Sequence, residues 1–159
     1  MHLWLVRSTL WAALWAILVV ANVTFHLTSI GWALDKALLP ALFPYLAGAF
    51  TGSLFGHAMA SRLPASKQPT VRFAAFFAAV AIMTLGFTAF FFYIQQRVYF
   101  AQWHAEIFTI RWFFQALFTG FGSAYLFLAT GLRPLLPWAV VALALASLSF
   151  SRGWFPASR

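Results

Sequence analysis

The sequence predicts an all-α membrane protein: a polytopic bundle of five helices, or of four with a fifth lying re-entrant or along the interface. Three observations predict it. Hydrophobic residues make up 64% of the 159-residue chain and charged residues 8%, a balance no soluble domain carries on its surface. The apolar residues gather in runs of about 20, the length a helix needs to cross roughly 30 Å of hydrocarbon. The chain's 2 acids, Asp35 and Glu106, both lie between those runs, so no intramembrane carboxylate stands ready to relay a proton or hold a cation. The gaps are too short to hold a soluble domain, and residues 1–159 form one transmembrane unit.

The first run covers about 8–30 and is interrupted only by Asn22, Thr24 and His26. Arg7 followed by an apolar stretch resembles a signal peptide, but Trp4, Trp11 and Trp15 are bulky for one and the run continues past Ala21 to Ile30, so a retained helix is expected. A turn, Gly31 to Lys36, carries Asp35, Lys36 and Trp32. The second run, about 38–61, places Pro40 and Pro44 in its first turns, where a missing amide matters least. A polar loop, 62–72, has two prolines and the cations Arg62, Lys67 and Arg72. The third run spans about 73–94 and the fourth about 111–130, with the polar outer loop 95–110 between them. In the fifth, 135–150, sixteen residues reach only about 24 Å, short of the hydrocarbon thickness, yet a span is favoured over a surface helix.

Five spans with an inner N-terminus put Arg7, Arg62, Lys67, Arg72 and Arg133 inside and Lys36, Arg97, Arg111, Arg152 and Arg159 outside. The two sets balance, so the densest cluster, the acid-free 62–72 loop, places itself in the cytoplasm. Were the fifth run not to cross, Arg152 and Arg159 would join the inner set. A parallel two-hairpin repeat is also suggested: Val6-Arg7 and Val71-Arg72 open the first and third runs, and Phe50-Thr51-Gly52 matches Phe118-Thr119-Gly120.

The most specific motif is a small residue at every fourth position of the second run: Gly48, Gly52, Gly56 and Ala60. Such a stripe lets another backbone approach closely, the contact that drives helix association in lipid. Ala116, Gly120 and Ala124 repeat it in the fourth run, with Gly122 and Ser123 adding a second small face. The two helices are expected to pack on each other, or to offer an interface to another subunit.

Histidines and polar residues form the remaining candidates. His26 and His57 fall at opposite depths, about 20 Å apart, too far to share a haem iron or a metal. His57 alone, Asn22, His26 and Gln115 are candidate polar or cofactor contacts. His26, His104 and Glu106 have the chemistry of a metal set, but His104 and Glu106 face apart on a helix, and no metal is expected. From Ala101 to Ile107 apolar and polar residues alternate, which predicts an extended segment on the membrane surface. Arg97, Trp103, His104 and Glu106 on this outer strip are the candidate partner or ligand contacts.

No cysteine is present, which excludes disulfides and thiolate chemistry, and no phosphate loop, His-Glu-x-x-His or Ser-His-acid set appears. The net charge of +8 sits singly at run ends rather than as a basic stripe, which excludes nucleic acid and points to lipid headgroups. The expected function is that of a structural or assembly subunit of a larger complex in the bacterial inner membrane, partnered by lipids and by other membrane subunits or by itself. A small oligomeric permease for a neutral or hydrophobic solute is the alternative, lined by Asn22, Thr51, Thr84, Thr88, Gln115 and Thr119. A pigment- or cofactor-binding subunit, built on the 20 Phe and 8 Trp, is weaker, and no cofactor is specified.

Overall fold

Each apolar run forms a helix, and the boundaries move for local reasons. The computed structural model describes residues 2–32, 37–62 and 68–153, with side chains from residue 6, and among them the fold is all-helical. Helix α1 is His2–Ser29, α2 Leu38–Arg62, α3 Pro69–Phe100, α4 Ile110–Leu126 and α5 Trp138–Ser151. The first four are long and apolar enough to cross a membrane, α4 with the π-helical turn Phe127–Gly131 that continues it, whereas α5 is apolar but shorter. Asp35, Lys36, Lys67 and Arg159 lie outside the described residues.

The largest change from expectation is in α3. It begins with Pro69 in its first turn, after an extended Gln68, and it does not stop at Ile94. Gln95, Gln96 and Arg97 are polar but good helix formers, and polarity alone does not end a helix. The strip 101–107 is therefore not extended throughout: Ala101–Trp103 is a 3₁₀ turn, and the backbone becomes extended only at His104. Thr109 then caps α4 by accepting the Trp112 amide at 3.1 Å. Helix α1 ends where Gly31 takes a left-handed conformation, with Gly31 N–H donating to Thr28 and Trp32 N–H to Leu27, the double closure that glycine permits.

Contacts along the helices fix their relative depth. Trp11 and His57 meet Phe76, Gly52 meets Thr84, and Gly48 meets Thr88. Further along, Tyr45 meets Phe92, and Gln95 reaches Pro40. Thus α1 and α3 run together and α2 runs against both. Phe150, at the far end of α5, stacks on Phe76 at 4.4 Å, and Arg72 donates to its carbonyl at 3.0 Å. Asn22, well along α1, reaches Pro134 just before α5 begins. Helix α5 therefore runs antiparallel to α3 and ends beside the start of α3.

Helix α4 does not follow that axis. Trp112 lies under the Arg97 guanidinium, and Phe127 lies against Phe92. Residues 92 and 97 are about 8 Å apart along α3, whereas 112 and 127 span about 22 Å of helix. Both ends of α4 meet the same end of α3, so α4 crosses it steeply. The sequence favours α4 as a span and doubts α5; the packing gives α5 the bundle axis and lays α4 across one end. Counted from Arg72, about 30 Å of helix, one hydrocarbon thickness, ends near Phe92, the level at which α4 crosses α3.

This arrangement leaves a broken backbone between α4 and α5 at membrane depth, where unmet carbonyls are costly. Two buried side chains meet them: Tyr45 Oη donates to Gly131 O at 3.0 Å, and Asn22 Nδ2 donates to Pro134 O at 2.6 Å. A third case lies in α2. Pro44 has no amide to give the carbonyl of Pro40, and Gln95 Nε2 from α3 supplies the proton at 2.8 Å.

Candidate functional site

The stripe on α2 is closed from within the chain. A Cβ at Gly52 would stand 2.5 Å from Thr84 Cα, one at Gly56 would stand 2.7 Å from Val80 Cα, and one at Gly48 would overlap Thr88. Ala60 is buried beyond them. The partner is α3, not α4 as the matching stripes suggested, because α4 never runs beside α2.

The stripe on α4 has a different setting. A Cβ at Gly120 would meet only the Tyr93 ring, at 3.7 Å. Ala116 is half-buried and Ala124 exposed. Together with Tyr93, Trp112 and Phe121 they line an open, apolar groove of about 620 Å³. Beyond it along α3, Gly86 and Ile82 fall on the helical face of Tyr93; Ile82 is exposed, and a Cβ at Gly86 would meet nothing within 4 Å.

A second groove, of about 630 Å³, flanks α4 on the side of the outer loop. Gln96, Phe100, Trp103 and His104 line it from α3 and the loop, and Gln115 and Ser123 from α4. Gln115, Thr119 and Ser123 recur at every fourth position of α4 and put a polar stripe on this groove, while Arg111, one turn earlier on the same face, lies beyond its lining. Gln115 Oε1 accepts the Ala105 amide at 2.8 Å, which ties the loop to α4. Arg97 is held between the His104 ring nitrogen Nδ1 and the face of Trp112.

The other expected site residues are dispersed. His26 is half-buried near the C-terminal end of α1, and Glu106 is exposed on the loop, where its carbonyl accepts from Thr109. Among the described residues, no three His, Asp or Glu side chains gather to hold a metal. His57 is buried near the opposite end, its ring edge-on to Phe76 and Phe150. Asn22 serves the Pro134 carbonyl. Of the outer-strip candidates, Arg97 and His104 meet each other, while Trp103 projects at 61% exposure. Gln96 and Tyr93, one on each side of the α3–α4 crossing, escape a reading of the sequence because the crossing itself is not encoded locally.

Four helices long and apolar enough to cross a membrane mark a multi-pass membrane protein, whichever way α4 is turned. Comparison with protein families, with curated proteins and with solved structures found no match.

Proposed function

We propose that the chain is a structural or assembly subunit of a larger bacterial inner-membrane complex, and that it receives a transmembrane helix of another subunit along α3, beneath α4. One observation carries this reading: the small face of α4 lines an open, apolar groove against Tyr93, and Gly86 and Ile82, on the Tyr93 face of α3, are themselves uncovered. In lipid, small residues add little when turned to acyl chains and much when another backbone lies on them. The closed α2–α3 seam is the example within this chain. It also argues against a solute route between the hairpins, since the backbones there leave no room. Topology follows the cations. Among the described residues, Arg7, Arg62, Arg72 and Arg152 lie at the end away from α4, which the charge rule assigns to the cytoplasm.

The test is photo-crosslinking from position 82 in native membranes. A second polypeptide should be captured there, and Gly86→Leu should abolish its co-purification in mild detergent while the helical content of the variant is unchanged. Capture of only a second copy of this chain, or of lipid alone, overturns the reading.

A further inference from the structure

The polar groove on the outer flank of α4 stands apart from the assembly face, and its chemistry is specific. Its volume, about 630 Å³, falls in the range of small-molecule sites, roughly 300–1,000 Å³. We infer that it binds a neutral, lipid-soluble molecule with a flat head ring bearing carbonyl oxygens, of the quinone class.

The proton inventory leads to an acceptor. Arg97 always donates, so the His104 Nδ1 it meets keeps its lone pair and the ring carries its proton on Nε2. Gln115 spends its carbonyl oxygen on the Ala105 amide, which leaves its NH₂ group for a ligand. Gln96 adds a second amide. The hydroxyls of Thr119 and Ser123 are committed as donors to the Gln115 and Thr119 carbonyls, each at 2.7 Å. The side chains with protons to offer are therefore two amides, an imidazole, the Trp103 indole and the Tyr125 hydroxyl, all suited to carbonyl oxygens.

Charge narrows the head group further. No Asp, Glu, Lys or Arg lines the groove, and Arg97 beside it is already engaged by His104 and Trp112. A phosphate would meet no cation there, whereas a neutral carbonyl needs none. The walls are aromatic: Phe100, Trp103, Phe118 and Tyr125 offer ring faces and edges to a flat head. The groove lies at the interface, so a head held there leaves an isoprenoid or alkyl tail in the hydrocarbon.

The experiment uses the full chain in phosphatidylcholine nanodiscs and decyl-benzoquinone as the probe, read by quenching of tryptophan fluorescence. Quenching should saturate, and Gln96→Leu and His104→Phe should each weaken binding about fivefold to tenfold, the loss of one hydrogen bond. Phe121→Leu, on the opposite flank of α4, should bind as the unaltered chain does. If His104→Phe fails to fold, Gln96→Leu decides, since the Gln96 side chain makes no bond that the fold uses. Quenching that rises without saturation, or saturates equally in Gln96→Leu, overturns the proposal. So does loss of binding in Phe121→Leu, or displacement of the probe by short-chain phosphatidylglycerol at equal concentration, which would make the groove a phospholipid site.

Discussion

Helices α2 and α4 carry the same small-residue spacing and end in opposite circumstances. On α2, Gly48, Gly52 and Gly56 press against the backbone of α3. On α4, Ala116, Gly120 and Ala124 face an open groove, and a Cβ at Gly120 would touch only the Tyr93 ring. The motif states that a backbone can come close; it does not state which one, or whether it belongs to the same chain. That is decided by direction. Helix α2 lies antiparallel to α3 along several turns, whereas α4 crosses α3 once. The glycines matched by the suggested repeat, in Phe50-Thr51-Gly52 and Phe118-Thr119-Gly120, differ in the same way. Gly52 meets the backbone of α3 and Gly120 only a side chain of α3, so the matched glycines do not do matching work.

The largest expected effect breaks or keeps this contrast directly. Gly52→Ala should lower unfolding stability in detergent by about 1–3 kcal/mol, because its methyl has only backbone to displace. Gly120→Ala should change it by less than about 0.5 kcal/mol. Equal losses in chemical or thermal unfolding would remove the distinction between the closed and open stripes.

A second comparison sets polar groups that bridge helices against those that bond within one. Asn22→Leu should cost about 1–2 kcal/mol, since it strands the Pro134 carbonyl in the broken backbone. Thr119→Val should cost a few tenths of a kcal/mol, because its hydroxyl only back-bonds to Gln115 and leaves that carbonyl its helical partner. The same unfolding assay checks both, and a reversed order would mean that the α4–α5 break draws its stability elsewhere.

Much of the fold was legible in the sequence. Run length and the placement of Asp35 and Glu106 marked a membrane bundle, and the Gly48–Ala60 stripe marked a close helix contact. The attitude of α4 was only half written there, as the polar stripe Arg111, Gln115, Thr119 and Ser123, and the length of the run obscured it. A polar stripe on an apolar helix fits an interfacial position as well as a span whose stripe faces a groove. The shortness of α5 has a physical explanation too: it begins below the surface, at the level of Asn22, and needs less than a full span to reach Phe76. Other features required coordinates. Pro44 announces that the Pro40 carbonyl is free, but not that Gln95, on another helix, will fill it. The threonines expected to line a solute path serve elsewhere: Thr51 and Thr88 bond back to their own helices, and Thr84 receives the Trp15 indole at 3.2 Å. Donor and acceptor were each visible, but their pairing depended on the packing.

The central claim is that α4 lies across one end of the bundle, so that the end of α5 returns to the side where α3 begins. Because the chain has no cysteine, single cysteines at Gln68, Gln102 and Arg152 can be labelled in intact cells with an impermeant thiol reagent. The account predicts that Arg152→Cys behaves as Gln68→Cys does, protected until lysis, while Gln102→Cys reacts from outside. Labelling of Arg152→Cys together with Gln102→Cys would mean that α4 crosses the membrane, and would contradict it.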